Sequence, residues 1–342
     1  MIKIEPKEGQ TLKSINNVDI TVVIQGPVHH SSGTSSEEGI TSQSISAIRK
    51  NFPGAVIILS TWKGEITDNL SYDKLILSQD PGPTVVKYHK NGSPHTVNVN
   101  RQIVSTLAGL EAVETKYAMK LRSDNIVNSA RLKSLLLRYP KRVSEYKLTK
   151  ERIVSSNVFA KEYSQGLPIP FFPSDFFQFG RSEDLLALWD IPLIEDYQYD
   201  KNLAGKRQSK LYPWPDLHIE QILWLSFINK HIPIKMPHKF GAGREQVKLS
   251  RKIIANNLII AERAELDLEV PDRLDQNDGA PYTHYTLKRW EQLYKHFVDP
   301  GFEVEGSVGL TLKRLSARTV QYFISGLKQH IRLWFCRFRI KS

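Results

Sequence analysis

Cysteine is nearly absent from this chain, which contains one, Cys336, among 342 residues. A single cysteine excludes an intramolecular disulfide framework and is typical of proteins in a reducing compartment. No apolar run approaches the roughly 20 residues that a membrane-spanning helix needs. The first charged residues are not followed by the apolar segment of a secretory signal. We therefore expect a cytoplasmic protein.

Acidic residues are missing from the C-terminal part of the sequence, where none follows Glu305. The chain carries a net charge of +11, and this short segment supplies most of it. A charge of +11 raises the alternative of a nucleic-acid-binding protein. Such a protein more often spreads its positive charge over a folded face, so we expect no nucleic-acid partner. The basic residues of the segment are Lys313, Arg314, Arg318, Lys328, Arg332, Arg337, Arg339 and Lys341.

Residues 311–342 also carry apolar residues at helical spacing, with the basic residues between them. Trp334, Phe335 and Phe338 lie near the end of this segment. A helix of this kind can lie in a membrane interface, with its rings at headgroup level and its cations over anionic lipid. The same pattern also fits a terminal helix packed on the protein's own core, with a solvated basic face.

The first third of the sequence alternates apolar runs with amphipathic segments. We predict strands at 19–28, 55–61, 75–78 and 117–121, and helices at 41–51 and 98–114. This alternation predicts an α/β fold with a mixed, mostly parallel sheet flanked by helices. Residues 81–95 are rich in proline and glycine and are predicted to be a loop. Later elements are predicted as helices at 131–138 and 216–229, a strand at 153–159 and a helix that starts at 182.

Three polar turns follow predicted strands: residues 25–27 (QGP), 61–63 (TWK) and 122–124 (RSD). Ligands of open α/β sheets bind beyond the carboxyl ends of the strands. We therefore expect the three turns to meet in one cleft.

Asp124 is the strongest candidate in that cleft, because a carboxylate just past a strand can hold Mg²⁺ or Mn²⁺. Such a metal would offset the charge that builds on a leaving diphosphate. Arg122 is placed to add charge-assisted bonds to a phosphate. The same spacing also fits a strand-end aspartate that caps a turn.

Asn100 and Arg101 stand at the start of the predicted helix 98–114. The positive end of a helix attracts anions, and Arg101 would strengthen that attraction. The pattern equally fits an asparagine cap beside an exposed arginine.

Asp175 lies in an aromatic segment, residues 171–180 (FFPSDFFQFG). Rings beside a carboxylate suit a sugar face with its hydroxyl groups, so we predict that Asp175 binds the acceptor. Core packing around one capped carboxylate is the alternative.

Asp216 and Glu220 are four residues apart and so share one face of the predicted helix 216–229. Two close carboxylates raise the pKa of one of them, and a raised carboxylate could take a proton from an acceptor hydroxyl. Acidic residues are also common at helix N-termini because of the helix dipole.

Together, these segments resemble the WavE lipopolysaccharide synthesis family, bacterial proteins placed among glycosyltransferases. The resemblance extends over roughly residues 18–250. It is carried by residues 22–27 (VVIQGP), 49–55 (RKNFPGA), 59–64 (LSTWKG), 100–106 (NRQIVST) and 117–124 (YAMKLRSD).

The order of elements is also similar to that of GT-A nucleotide-sugar transferases, in which an Asp-x-Asp-type motif binds metal and diphosphate. Residues 120–128 (KLRSDNIVN) are similar to a Lys-x-Asp-Asp-Asp-x-x-Val-Asn form of that motif. Arg122 and Ser123 replace the first two acids, and Asp124 remains. The resemblance implies Mn²⁺ or Mg²⁺ at Asp124 and a catalytic carboxylate at Asp216, with Glu220 as the alternative. The predicted donor site comprises Gln25, Gly26, Pro27, Trp62, Asn100, Arg101, Arg122, Ser123 and Asp124.

We therefore predict a GT-A-like glycosyltransferase that moves a sugar from a nucleotide donor to a lipid-linked saccharide of a bacterial surface glycan. Residues 1–128 would bind the donor and residues 129–300 the acceptor. Residues 301–342 would form a linker and a basic tail on the anionic inner face of the inner membrane. A catalytically inactive, membrane-associated scaffold of glycan assembly is the alternative, because the acidic motif is reduced.

Overall fold

The computed structural model describes residues 14–30, 39–209, 217–241, 243–275 and 282–339. Its helices are α1 Ile40–Asn51, α2 Val99–Glu111, α3 Leu132–Arg138, α4 Ser182–Trp189, α5 Ile219–Ile228, α6 Arg244–Asn257, α7 Arg263–Leu266, α8 Asp272–Asp275, α9 Leu287–Phe297, α10 Ser307–Gln321 and α11 Leu327–Arg339. A π-helical turn, Tyr322–Gly326, joins α10 to α11. Single 3-10 turns lie at Asn17–Asp19, Ser144–Tyr146 and Lys201–Leu203.

The strands are β1 Ile20–Gln25, β2 Val56–Trp62, β3 Lys74–Ser78, β4 Thr84–Tyr88, β5 Pro94–Val97, β6 Tyr117–Arg122, β7 Ile126–Val127, β8 Ile153–Ser156, β9 Tyr163–Ser164, β10 Leu167–Pro168, β11 Phe177–Arg181, β12 Gln208–Ser209, β13 Leu258–Ala261 and β14 Leu268–Glu269. Seven of them form the central sheet, in the order β13-β8-β11-β6-β1-β2-β3. Neighbours in this sheet are parallel, except that β11 runs antiparallel to both β6 and β8. The predicted α/β fold with a mixed, mostly parallel sheet is confirmed.

β1 lies inside the sheet, between β6 and β2, and all six of its residues are buried, as is usual for an interior parallel strand. Ile24 faces Leu59 of β2 on one side and Leu121 of β6 on the other. Helices α1 and α2 place apolar side chains in the same core, Ile45 and Ile48 from α1 and Ile103 and Leu110 from α2. Since this core covers both faces of the sheet, we expect a polar ligand to bind where the strands end.

The loop predicted at 81–95 is wrong, because this region contains the hairpin β4–β5, which also pairs with β12. The prolines and glycine at 81–83 precede the hairpin, and Gly92 sits at its turn with a φ of +82°. The proline and glycine residues around the two short strands led to the prediction of a loop. The helix predicted at 216–229 begins at Ile219 in the structure, and Asp216 lies outside the described residues.

Both predicted halves of the chain contribute to the central sheet, since β8, β11 and β13 come from residues 129–300. The tail, residues 307–339, is helical as predicted. Gly326 permits a close approach of the tail to the β9–β10 turn, because a Cβ there would overlap the carbonyl of Gln165. No helix within the described ranges combines the length and hydrophobicity needed to cross a bilayer.

Candidate functional site

One edge of the central sheet gathers several of the predicted site residues. β1 ends at Gln25, β2 at Trp62 and β6 at Arg122, and these three strands are parallel. β11 runs the other way, with Phe177 opposite Leu121, so its start reaches the same edge. Asp175 precedes that start. The reversal of β11 thereby brings Asp175 to the edge at which β1 and β6 end.

The turn after β1 is held against the turn after β6. The Ser123 hydroxyl donates to the Pro27 carbonyl at 2.7 Å, and the Ser123 amide donates to the Gln25 carbonyl at 2.9 Å. Gly26 adopts a φ of +117°, and a Cβ there would lie 3.0 Å from the Ser123 hydroxyl. Glycine is therefore required at position 26 for both its backbone and its space.

Asp124 lies between two arginines at this edge and is almost completely buried. Arg122 donates to both carboxylate oxygens, each at 2.8 Å, in a two-pronged ion pair. Arg273 of α8 donates to Oδ2 at 2.7 Å and is itself largely exposed. The group carries a net charge of +1, which favours an anionic ligand.

The charges of this group are fixed by their mutual contacts. Burial alone would raise the pKa of Asp124, but the hydrogen bonds and charge of Arg122, with the charge of Arg273, lower it. Burial also works against the charge on Arg122, and the bonds and charge of Asp124 raise its pKa nevertheless. Both groups therefore remain ionised at neutral pH.

These residues do not fit a metal centre built by the protein. Nowhere in the described ranges do three or more His, Cys, Asp or Glu side chains cluster in a way that could hold a metal. Both oxygens of Asp124 already accept guanidinium hydrogen bonds. A divalent ion would have to displace an arginine from Asp124, so the metal role of Asp124 remains a prediction. The two arginines place positive charge beside Asp124.

Lys120 is a buried cation directly below this edge, and the sequence prediction did not select it. Its Nζ donates to the Asp175 carbonyl and lies 4.7 Å from the Trp189 ring centroid. Burial lowers its pKa to about 7, although the nearby Asp175 carboxylate opposes this shift. The charge of Lys120 is also sensitive to Arg122 and Asp124. A lysine between the apolar residues Met119 and Leu121 of β6 was the available signal.

Asp175 and Glu220 line one small cavity, together with Trp189 and Trp224. Burial raises the pKa of Glu220 to about 8, and the negative charge of Asp175 adds to the shift. The carboxylate beside Glu220 in the structure is Asp175. The predicted partner, Asp216, lies outside the described residues, so that pairing stays a prediction. A carboxyl group with this pKa can exchange a proton near neutral pH.

Two polar groups at the edge are buried with spare hydrogen-bonding capacity. Both amide atoms of Asn125 and the Oδ1 atom of Asp175 have no hydrogen-bond partner among the described residues. Gln102 donates to the other Asp175 oxygen, Oδ2. Buried polar atoms without partners are uncommon, and a water molecule or a ligand often serves them.

Three predicted donor-binding side chains are engaged elsewhere in the protein. The Asn100 amide donates to and accepts from the Ile194 backbone, both at 2.8 Å. Arg101 forms a bidentate ion pair with the Asp80 carboxylate, with hydrogen bonds of 2.8 and 2.6 Å. The Gln25 side chain accepts from Ser105 of α2 at 2.7 Å. These contacts fix α2 and its surroundings beside the site, and Trp62 is buried at the end of β2.

Arg273 and Gln102 were missed for different physical reasons. Arg273 follows Asp124 by 149 residues in a four-residue helix, and no local pattern links the two. Gln102 lies one turn into α2, where a polar residue is usual on a solvated face. The helical spacing from the predicted Asn98 start was the available signal for Gln102.

Known proteins resemble this chain at two levels. Residues 20–323 match the family model described as WavE lipopolysaccharide synthesis. A search of curated proteins gave no match. Among solved structures, HddC from Yersinia pseudotuberculosis has 10% identity and a TM-score of 0.29, covering 55% of this chain and 85% of its own.

Two further structures have similar scores. A 4-diphosphocytidyl-2C-methyl-D-erythritol synthase from Anaerococcus prevotii has 12% identity and a TM-score of 0.31, with 68% of this chain and 95% of that one covered. A CMP:2-keto-3-deoxy-manno-octonic acid synthetase complexed with CTP has 10% identity and a TM-score of 0.30, with 51% and 78% covered. TM-scores of this size support no conclusion about this chain. The family match spans most of the sequence, and the chain therefore belongs to the WavE lipopolysaccharide synthesis family.

Proposed function

We propose that this protein is a GT-A-like glycosyltransferase that moves a sugar from a nucleotide-sugar donor to a lipid-linked saccharide. The observation that carries the proposal is the buried Asp124 carboxylate between Arg122 and Arg273, at the carboxyl ends of parallel strands. Membership of a lipopolysaccharide synthesis family is consistent with a glycan acceptor.

In the proposed reaction, the donor diphosphate binds to Arg122 and Arg273. A guanidinium group presents two parallel N–H donors, which suit phosphate oxygens. As the bond between the sugar and the diphosphate breaks, negative charge grows on the leaving diphosphate. Fixed cations at that place lower the energy of the transition state without rearranging.

Glu220 is the proposed general base. Its carboxylate takes the proton from the acceptor hydroxyl as that oxygen attacks the anomeric carbon and the nucleoside diphosphate leaves. A pKa of about 8 makes the carboxylate a strong base for its type, at the cost of being mostly protonated at pH 7. Asp175 would bind acceptor hydroxyls beside it. Asp216, the other predicted base, lies outside the described residues.

The tail would hold the enzyme at the anionic inner face of the inner membrane. Apolar side chains of α10, the π-helical turn and α11 are exposed, with Phe323 at 69% and Ile324 at 78%. Lys313 and Lys328 are exposed on the same segment. Exposed apolar residues interleaved with cations are the pattern of an interfacial helix. Arg314 is an exception to the predicted basic face, since it is buried against the core.

The direct test is transfer of labelled sugar from a panel of nucleotide sugars to lipid-linked saccharides extracted from bacterial membranes. We expect at least one donor to be consumed, with label in the lipid fraction. A protein that neither transfers nor hydrolyses any donor of the panel would contradict the proposal and favour the scaffold alternative.

A further inference from the structure

A cavity of about 680 Å³ lies between α6 and the tail, away from the Asp124 group. This size is within the range of small-molecule binding sites. Its walls include Leu167 and Pro168 of β10, Val247 of α6 and Leu333 of α11. The cavity exists because the tail folds back over the body of the protein, and the family match and the proposed glycosyl transfer do not account for it.

A buried ionic cluster fixes the tail in this position. Glu162 accepts from Arg289 at 2.7 and 2.8 Å and from Arg314 of the tail at 2.8 Å. Arg251 of α6 lies 2.9 Å from the same carboxylate. Burial would raise the pKa of Glu162, but the three arginines lower it to about 2. Three cations thus surround one anion, leaving a positive excess beside the cavity.

Two arginines that flank Tyr163 bring positive charge to the cavity wall: Arg251 of that cluster and Arg318 of the tail. Arg251 lines the cavity and donates to the Tyr163 hydroxyl at 2.7 Å. Arg318 of the tail also lines it, and its guanidinium carbon lies 3.8 Å from the Tyr163 ring centroid. The Nε atoms of both arginines are buried and have no hydrogen-bond partner within the described ranges. Two guanidinium groups on one wall of the cavity are suited to a phosphate.

The remaining charged residues of the cavity wall are also mostly basic. Arg244 and Lys248 of α6 line it, against one acid, Glu245. Most of the lining is apolar, including Phe240 and Leu333. Trp334, which lines the cavity, is half exposed and continues the exposed apolar face of the tail. A ligand that matches this wall carries both an anionic group and a hydrocarbon chain.

We propose that this cavity binds the phosphate end of a membrane lipid, with the phosphate at Arg251 and Arg318 and the start of the chain along Val247 and Leu333. The lipid would enter from the bilayer on which the tail lies. The proposal deepens the proposed function and rests on it for the view that this lipid carries the acceptor saccharide. The α5 helix, which holds Glu220, adjoins the cavity wall, because Gln221 donates to the Lys239 carbonyl at 2.9 Å.

Binding is tested by calorimetric titration of the full chain with dihexanoyl phosphatidate below its micelle concentration. Dihexanoyl phosphatidylcholine and inorganic phosphate are titrated for comparison. We expect saturable binding of one phosphatidate, with each comparison ligand at least about tenfold weaker. Equal affinity for inorganic phosphate would overturn the proposal, because it would identify a free-anion site. Absence of phosphatidate binding would also overturn it.

Charge-matched variants locate the site. Arg318→Gln and Lys248→Gln each remove one cation from the cavity wall and should weaken phosphatidate binding by about tenfold. Lys313→Gln on α10 and Lys252→Gln on α6 remove the same charge from the same helices outside the cavity, since Lys252 pairs with Tyr146. These controls should bind as the wild type does. Equal binding by Arg318→Gln and Lys313→Gln would overturn the proposal.

The titration contains no donor, so its failure is separable from failure of the proposed function. A protein that binds phosphatidate but uses no nucleotide sugar would retain the cavity assignment and lose the transferase. A protein that transfers sugar but shows no phosphatidate binding would lose the cavity assignment alone.

Discussion

Arg122 forms a bidentate ion pair with Asp124, two residues further along the chain, with both hydrogen bonds at 2.8 Å. The pairing is possible because β6 ends at Arg122 and the chain turns immediately, so both side chains point to the same edge. Nη1 of Arg122 makes no hydrogen bond within the described ranges and remains for a ligand. The pair holds a guanidinium in place before any donor arrives, which reduces the reorganisation that catalysis would require.

The role of this pair is tested by Asp124→Asn. The variant keeps the shape of the side chain but frees Arg122 and Arg273 from their fixed positions. We expect the transfer rate to fall by about 100-fold, in the range seen for loss of one preorganised electrostatic contact, with the fold intact by circular dichroism. Asp73→Asn is the matched control, since Asp73 also pairs with an arginine, Arg49 at 2.9 Å, just before β3 at the opposite edge. Full activity of Asp124→Asn would remove Asp124 from the site.

The pH dependence of transfer tests Glu220. A general base must be deprotonated, and a pKa of about 8 means that the active form increases as the pH rises towards 8 and beyond. We expect a rate that rises about tenfold per pH unit below 7 and levels off above 8. Glu220→Gln should abolish this dependence along with most of the rate. Glu111→Gln, at the exposed end of α2, should leave the profile unchanged.

Asp175 provides a second check on the same profile. Its negative charge contributes to the raised pKa of Glu220, after burial. Asp175→Asn should therefore move the profile to lower pH, because the neutral side chain no longer opposes ionisation of Glu220. A lower rate without a change in the midpoint would assign Asp175 to acceptor binding alone.

The membrane role of the tail is tested with two polar substitutions that leave the buried Arg314 intact. Phe323→Ser combined with Ile324→Ser should lower the affinity for anionic liposomes by at least about tenfold, since each side chain contributes about 1.5–3 kcal/mol when fully buried. Activity on a soluble acceptor should be unchanged. Ile66→Ser removes an equally exposed apolar side chain outside the tail and serves as the control. Unchanged sedimentation of the double variant with liposomes would contradict the anchor.

The Glu162 cluster predicts an acid-sensitive contribution to stability. The folded pKa of Glu162, about 2, lies below its ordinary value of 4.5. Its contribution, roughly 3 kcal/mol, is therefore fully present above pH 4.5 and is lost as the pH falls from 4.5 towards 2. In urea unfolding at pH 7, Glu162→Gln should lose about 3–5 kcal/mol because three arginines remain without their carboxylate. The loss should shrink on acidification.

A surface ion pair gives the comparison. Glu183 pairs with Lys150 and Arg181, and its side chain is 39% exposed, in contrast to the buried Glu162. Glu183→Gln should change the free energy of unfolding by less than about 1 kcal/mol at pH 7. Similar losses for the two variants would show that the cluster does not stabilise the docked tail.

The parallel core could be predicted from sequence because burial on both faces leaves a direct trace. β1, β2 and β6 are mostly apolar and almost completely buried, and the three polar turns that follow them were predicted to meet. The turns after β1 and β6 do meet, through Ser123 and Pro27. The hairpin at 84–97 escaped prediction because its strands are short and half-buried and lie among turn residues.

The missing parts of the site depend on contacts that are distant in the sequence. Asp175 reaches the edge only because β11 is reversed, which no local pattern specifies. Arg273 lies on one helical turn, far along the chain, and meets Asp124 only in the folded protein. The inward position of Arg314 depends on Glu162, 152 residues away, so the tail's periodicity alone indicated a uniformly basic face.

The most direct test of the central claim is the binding of nucleotide sugars to the wild type and to Arg122→Gln, measured by calorimetry across a donor panel. The account predicts that at least one donor binds the wild type and that the substitution weakens it by about tenfold or more, as expected for loss of a charged hydrogen bond to phosphate. Identical affinity of the two proteins for every donor that binds would contradict the account.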